Sequence, residues 1–200
     1  MILNPQHLKI FGNNISIGDY ATLITAPDKR IDLSTWETDK INGELHLGKY
    51  ILISPGTSIR SAKKIVIGNS TMIASDVTIT DSDWHDIYDR TDYVASPKEV
   101  VIEENVWIGE KSLILKGSKI GKNSIIGAGS VVSGEVPANV IFAGNPAKEI
   151  KVLDEKKFKT RESLFTKSST YLEDLLTIEK KTLEHNSIIS WIKSLIWPSK

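Results

Sequence analysis

The chain has 200 residues, with 25 basic and 25 acidic side chains and no cysteine. Balanced charge gives no field to draw nucleic acid, and the missing thiols exclude disulfides, zinc–cysteine sites and a cysteine nucleophile. Met1 to Phe11 lacks the basic stretch and apolar run of a signal peptide, and no segment approaches the roughly 20 apolar residues that span a bilayer. A soluble, cytoplasmic protein is expected.

A six-residue beat begins near the N-terminus, with Phe11-Gly12, Ile17-Gly18 and Leu23 in phase. It stops at Thr25 and resumes at Ile41, Leu47, Ile53 and Ile59. Residues 26–40, which include Arg30 and Trp36, are predicted to form a loop ejected from the repeat. The phase slips by two residues after Ile59, returns at Ile67, Ile73 and Ile79, and fails again over 80–99. From Ile102 it runs without a miss through Ile108, Ile114, Ile120, Ile126 and Val132. Beyond Val132 it decays through Val136-Pro137 and ends at Ala143-Gly144-Asn145-Pro146.

Neither a helix (period 3.6) nor a simple alternating strand (period 2) produces this spacing. A short strand and a turn, stacked repeatedly into a coil, does. A coil of about 18 residues with three flat faces and rungs roughly 4.8 Å apart places Ile102 under Ile120, Ile108 under Ile126 and Ile114 under Val132. The glycines after Ile108, Ile120 and Ile126 are expected to turn corners with backbone angles that other residues resist. Ser112, Ser118, Ser124 and Ser130, two places before the aliphatics, must bond locally if they are buried. The fold class is all-β, a parallel β-helix of hexapeptide repeats over 1–150, followed by an α-helical extension over 151–200.

That extension is charged and glycine-free from Val152 onward. Leu164, Phe165, Tyr171, Leu172, Leu175, Leu176 and Ile178 mark an amphipathic helix. Residues 187–200 place Ile188, Ile189, Ile192, Leu195 and Ile196 on one face, flanked by Trp191 and Trp197, with lysines and no acid. Such a helix either caps the coil or a neighbouring subunit, or makes peripheral contact with a membrane surface.

Long structureless loops inside compact domains are usually functional. The second interruption sets His85 among Asp81, Asp83, Asp86 and Asp89. A neighbouring carboxylate raises imidazole basicity and fixes its tautomer, which suits a general base; Asp83 is the expected orienting group. The aspartates lack the glycine and closing glutamate of a calcium loop. His7, His46 and His185 are isolated and are read as surface residues, so no metal is expected.

Three segments resemble the hexapeptide-repeat acyltransferases: Val106-Trp107-Ile108-Gly109, the run Ile120 to Val132, and Ala143-Gly144-Asn145-Pro146-Ala147-Lys148. The chain is similar to their maltose/galactoside and polysaccharide O-acetyltransferase branch over roughly residues 10–151. The resemblance implies a left-handed β-helix, acetyl-CoA as co-substrate, and a homotrimer with active sites between subunits. It implies His85 as catalytic base and the Glu110 backbone amide as oxyanion donor. Trp107, Ala128, Ser130, Asn145, Pro146, Lys148 and Lys151 are implied for CoA. Ser133-Gly134-Glu135 departs from the family's usual threonine–lysine there, which shifts the phosphate contacts toward Lys148 and Lys151. Asp81, Trp84, Asp89, Arg90, Arg30 and Trp36 are taken as acceptor-side residues. The function expected is acetyl transfer to a sugar hydroxyl of a polysaccharide precursor, in surface polysaccharide or O-antigen biosynthesis. The alternative is N-acetylation of a nucleotide-linked amino sugar.

Overall fold

Alternation inside each repeat puts one aliphatic inward per short strand, and the turn that follows swings the chain to the next face. In a computed structural model, which describes residues 1–92, 96–166 and 170–183, this pattern closes into a three-faced parallel β-helix. The first face stacks Ile2–Leu3, Thr22–Ile24, Leu52–Ile53, Met72–Ile73, Trp107–Ile108, Ile125–Ile126 and Val140–Gly144. The second stacks Leu8–Phe11, Ile31–Thr35, Ser58–Ser61, Thr78–Thr80, Leu113–Ile114 and Val131–Val132. The third stacks Ile15–Ile17, Glu44–Leu47, Lys64–Ile67, Val100–Ile102, Lys119–Ile120 and Glu135–Val136. The chain always passes from first to second to third face, so each insertion belongs to one of three edges.

The expected columns form. Ile102 pairs with Ile120, Ile108 with Ile126, and Ile114 with Val132, all buried. Each such side chain removed from water contributes about 1.5–3 kcal/mol, and this core supplies most of the driving force. The serines behave as burial demands. Ser112 donates to the Gly127 carbonyl at 3.0 Å, Ser118 to Leu115 at 2.7 Å and Ser124 to Pro137 at 2.7 Å.

Residues 26–40 are not an ejected loop. Ile31 and Leu33 are fully buried, and Ile31–Thr35 is a regular rung of the second face, pairing Leu33 with Ile59. The alternation Ile31-Asp32-Leu33 carried that rung, but the connections 25–30 and 36–43 are longer than the regular corners and moved it off the six-residue count. Phe11 also departs from expectation: it pairs with Ser34 while Ile10 takes the register of Leu33, and on this first coil both Ile10 and Phe11 are exposed.

The corner glycines have a different cause from the one expected. A Cβ on Gly109 would lie 2.5 Å from the Ala128 nitrogen, so the next coil leaves no room for a side chain. The left-handed backbone falls instead on Asn105, Asn123 and Asn139, with φ of 57°, 61° and 59°. Asparagine tolerates this region well. These three form a ladder on the third edge, Asn105 to Asn123 at 2.9 Å, Asn123 to Asn139 at 2.8 Å, closed by Asn139 to Glu155 at 2.7 Å.

After Val140–Gly144 the chain turns back as the antiparallel strand Ala147–Val152. It then returns to earlier coils, where Arg161 Nε donates to the Tyr50 carbonyl at 2.9 Å. Residues Met1–Arg161 form one compact unit and Glu162–Lys200 a second. In the second, Glu162–Thr166 and Tyr171–Leu183 are helical, as the apolar spacing there predicts. The helix expected over 187–200 lies outside the described residues. Among the described residues no helix is long and apolar enough to cross a membrane.

Candidate active site

His85 sits on the second edge, in the insertion between Thr78–Thr80 and Val100–Ile102, and is exposed. Its Nδ1 lies 3.0 Å from the main-chain carbonyl oxygen of Arg90. A carbonyl only accepts, so Nδ1 carries the proton, and in the neutral ring Nε2 is the nitrogen with the lone pair. This corrects the expectation that Asp83 orients the ring: Asp83 pairs with Lys116 Nζ at 2.6 Å. The turn carrying Arg90 is shaped by two other carboxylates. Asp86 accepts from the amides of Tyr88 and Asp89 at 2.8 and 3.0 Å, and Asp89 from the amide and hydroxyl of Thr91 at 2.9 and 2.5 Å. Hydrogen bonds from the Asp89 and Tyr88 amides hold the Asp86 carboxyl below its ordinary pKa, and those from the Thr91 hydroxyl and amide do the same for Asp89.

Asp81 is a structural residue and not an acceptor contact. It is fully buried and accepts from Ser61 Oγ at 2.8 Å and from the amides of Ala62, Lys63 and Lys64 at 2.7, 2.9 and 2.7 Å. These residues are the bulged corner one coil below, where the repeat slips by two. Asp81 therefore occupies the place where the extra amides would otherwise lack acceptors.

Trp36 opens the turn between Ile31–Thr35 and Glu44–Leu47, on the same edge as His85. Its ring meets Trp84 edge-on at 5.6 Å and 68°, and Phe11 at 5.1 Å and 51°. Lys40 Nζ lies 3.4 Å from Asp92, a second tie between the two insertions. Arg30 does not join them. It lies on the first edge, beside Lys29, which pairs with Asp76 at 2.6 Å; that hydrogen bond raises the Lys29 pKa. The length of Ile31–Thr35 separates Arg30 from Trp36 within one copy of the chain, so the two expected acceptor-side residues lie on different edges.

The residues expected to hold CoA follow the first face and first edge. Trp107 projects outward from the first face and is exposed. Glu110 follows on the first edge, its side chain exposed and its carbonyl accepting from Gly129 at 2.7 Å. Among the described residues the Glu110 N–H has no acceptor. Ala128 is exposed one coil above, and Asn145, Pro146, Lys148 and Lys151 are exposed on the terminal hairpin that continues the first face. Ser130 is a correction. It is fully buried, donates to the Gly127 carbonyl at 2.5 Å and accepts from the Gly144 amide at 3.1 Å, so its side chain lines no surface.

Among the remaining histidines, His46 is outward-facing, with Nδ1 2.8 Å from Ser16 Oγ and Nε2 3.1 Å from Glu44. His7 is half-buried rather than a surface residue. His185 lies outside the described residues. No metal-binding group of histidines and carboxylates occurs among the described residues.

Residues 99–134 match the model of the bacterial transferase hexapeptide family, six repeats. The chain carries the bacterial hexapeptide-transferase repeat. With its three faces, the coil is the left-handed parallel β-helix of these proteins. It is 36% identical over 118 residues to a galactoside O-acetyltransferase of Lactococcus lactis, covering 58% of this chain and 56% of that one. It is 36% identical over 120 residues to the putative lipopolysaccharide biosynthesis O-acetyl transferase WbbJ of Escherichia coli, covering 54% and 61%. The chain thus spans only 56% and 61% of the length of these two curated relatives. Among solved structures, a maltose O-acetyltransferase from Clostridium difficile 630 is similar, with 27% identity, a TM-score of 0.51, and coverage of 74% and 67%.

Within the hexapeptide coil, the sequence reasoning missed Phe11 and Lys116. Phe11 falls on the six-residue beat but stands exposed opposite Ser34. Lys116 gave no signal, because its role depends on two coils being stacked.

Proposed function

We propose that this chain is an acetyl-CoA-dependent O-acetyltransferase acting on a sugar hydroxyl, with His85 as general base in a direct transfer. The observation that carries this reading is the His85 Nδ1 to Arg90 carbonyl hydrogen bond, which leaves an exposed basic Nε2 on the insertion. Nε2 takes the hydroxyl proton as the sugar oxygen attacks the thioester carbon; the C–S bond breaks and the proton passes to the departing thiolate. The free Glu110 amide suits the developing oxyanion. Small residues at 109 and 128–129 leave a smooth path for the pantetheine arm past Trp107. Asn145, Pro146, Lys148 and Lys151 are assigned to the nucleotide end, the lysines as point charges.

The His85 edge and the Glu110 edge are different edges of one coil. A productive site therefore needs His85 of one copy beside the Glu110 edge of another, which supports a homotrimer with sites between subunits. Trp36, Trp84, Asp89 and Arg90 are assigned to the acceptor, a precursor of surface polysaccharide or O-antigen. The reaction is placed in the cytoplasm, with residues 187–200 as a peripheral membrane contact.

Purified protein with acetyl-CoA and a panel of neutral sugars and amino-sugar nucleotides, read by mass spectrometry, tests this. O-acetylated sugar is the expected product. Preferential acetylation of an amino-sugar nucleotide would transfer the assignment to N-acetylation, and absence of saturable acetyl-CoA binding would defeat both.

A further inference from the structure

Phe11, Trp36 and Trp84 come from three separate parts of the chain, yet their rings form one row on the second edge. Phe11 and Trp36 remain 48% and 42% exposed. Exposed aromatic rings gathered into one contiguous patch, unlike single scattered apolar residues, mark a binding surface. The row is also held in place. Trp84 has φ of 65°, the left-handed region that a bulky residue keeps only when its surroundings enforce it. Its amide donates to Ser82 Oγ at 3.1 Å, and the Lys40–Asp92 pair ties the neighbouring turn to the same insertion.

The row begins at the residue next to His85 and runs away from it toward the start of the coil. Polar groups flank it: Asn13 donates to Glu37 at 3.3 Å and Asn14 to Asn42 at 2.9 Å, both pairs exposed. Apolar ring faces bordered by carboxylates and amides complement a pyranose, which offers C–H bonds on its face and hydroxyls at its rim. This edge carries Glu37, Asp86 and Asp89 together with Arg90, and its Lys40 and Lys116 are paired with Asp92 and Asp83, so it offers a diphosphate no excess of positive charge.

Building on the acetyltransferase reading above, we propose that Phe11 and Trp36 form a stacking shelf for a second sugar ring of an uncharged glycan, next to the ring deprotonated by His85. The acceptor is then a chain of at least two sugars and not a nucleotide-linked sugar. Trp84 closes the shelf at the reacting end.

Acetyl transfer is measured with glucose, maltose and maltotriose, with methyl galactoside and lactose, and with UDP-galactose. Wild-type protein is expected to show kcat/KM rising with chain length in at least one series and to work poorly on the nucleotide sugar. Trp36→Ala and Phe11→Ala should each reduce that chain-length advantage about tenfold, the effect of one aromatic contact, and Trp36→Phe should restore most of it. Equal loss on short and long acceptors, no loss on either, or a preference for UDP-galactose overturns the shelf while leaving acetyl transfer intact. No transfer to any sugar by the wild type overturns the acetyltransferase reading, and the shelf with it.

Discussion

His85 Nδ1 is anchored to the Arg90 carbonyl, five residues on in the same insertion, at 3.0 Å. The base is therefore oriented by main chain, and its tautomer depends on the shape of one turn. A positioned base contributes about 10²–10⁴-fold, so His85→Ala should cut acetyl transfer at least about a hundredfold. Because His85 is exposed, the coil should keep its melting temperature. Turnover near the wild-type rate in a folded variant would remove His85 from the mechanism.

Gly109 and Gly129 separate two reasons for glycine. At Gly109 a Cβ would press on the Ala128 backbone at 2.5 Å, whereas at Gly129 nothing lies within 4 Å but φ is 67°. Gly109→Ala is expected to destabilise by about 1–3 kcal/mol, as overpacking does. Gly129→Ala should cost roughly 1 kcal/mol, the strain of one left-handed residue. Gly129→Asn should recover part of that loss and Gly109→Asn none. Chemical denaturation of the four variants tests the ordering, and a rescue at Gly109 by asparagine would contradict it.

Asp81 makes a third case, in which a carboxylate inside a functional loop serves the scaffold. Three main-chain amides and one hydroxyl donate to it, and all would lose their acceptor in Asp81→Ala. Stranding that many donors should cost at least about 3 kcal/mol and lower Tm by several degrees. Asp81→Asn keeps one acceptor oxygen and should fall between the two. An unchanged Tm for the alanine variant would mean that water replaces the carboxylate at the bulged corner.

The regular coils were legible because every sixth residue has the same neighbours above and below, so one period encodes the core from Ile102 to Val132. The rung Ile31–Thr35 was lost because its turns depart from that count, and only the buried alternation Ile31-Asp32-Leu33 marked it. His85, Trp36 and Trp84 could be singled out from where the beat fails. Their grouping could not, since it depends on which edge each insertion leaves. The same limit explains Asp81 and Ser130: the His85 insertion suggested binding for one and the family resemblance for the other, but stacking turned both inward. Asp83 looked like the imidazole's partner from sequence proximity, and Lys116 on the next coil took it instead.

The loop around His85 should respond to acid through Asp86 and Asp89. Both carboxyls are held below their ordinary pKa by donated hydrogen bonds, Asp86 first by the Asp89 amide and Asp89 first by the Thr91 hydroxyl. A folded-state pKa below the unfolded one adds stability that is present above the unfolded value and is lost as pH falls through the folded value. The loop is therefore expected to stay closed from neutral pH down to the ordinary carboxylate range near about 3.9, and to loosen below it. Pepsin cleavage between residues 84 and 92, followed against pH with the intact core as reference, reads this directly. The paired variant Asp86→Asn with Asp89→Asn keeps acceptor oxygens but cannot titrate, so its cleavage should lose the acid step. An identical step in that variant would place the titrating groups elsewhere in the chain.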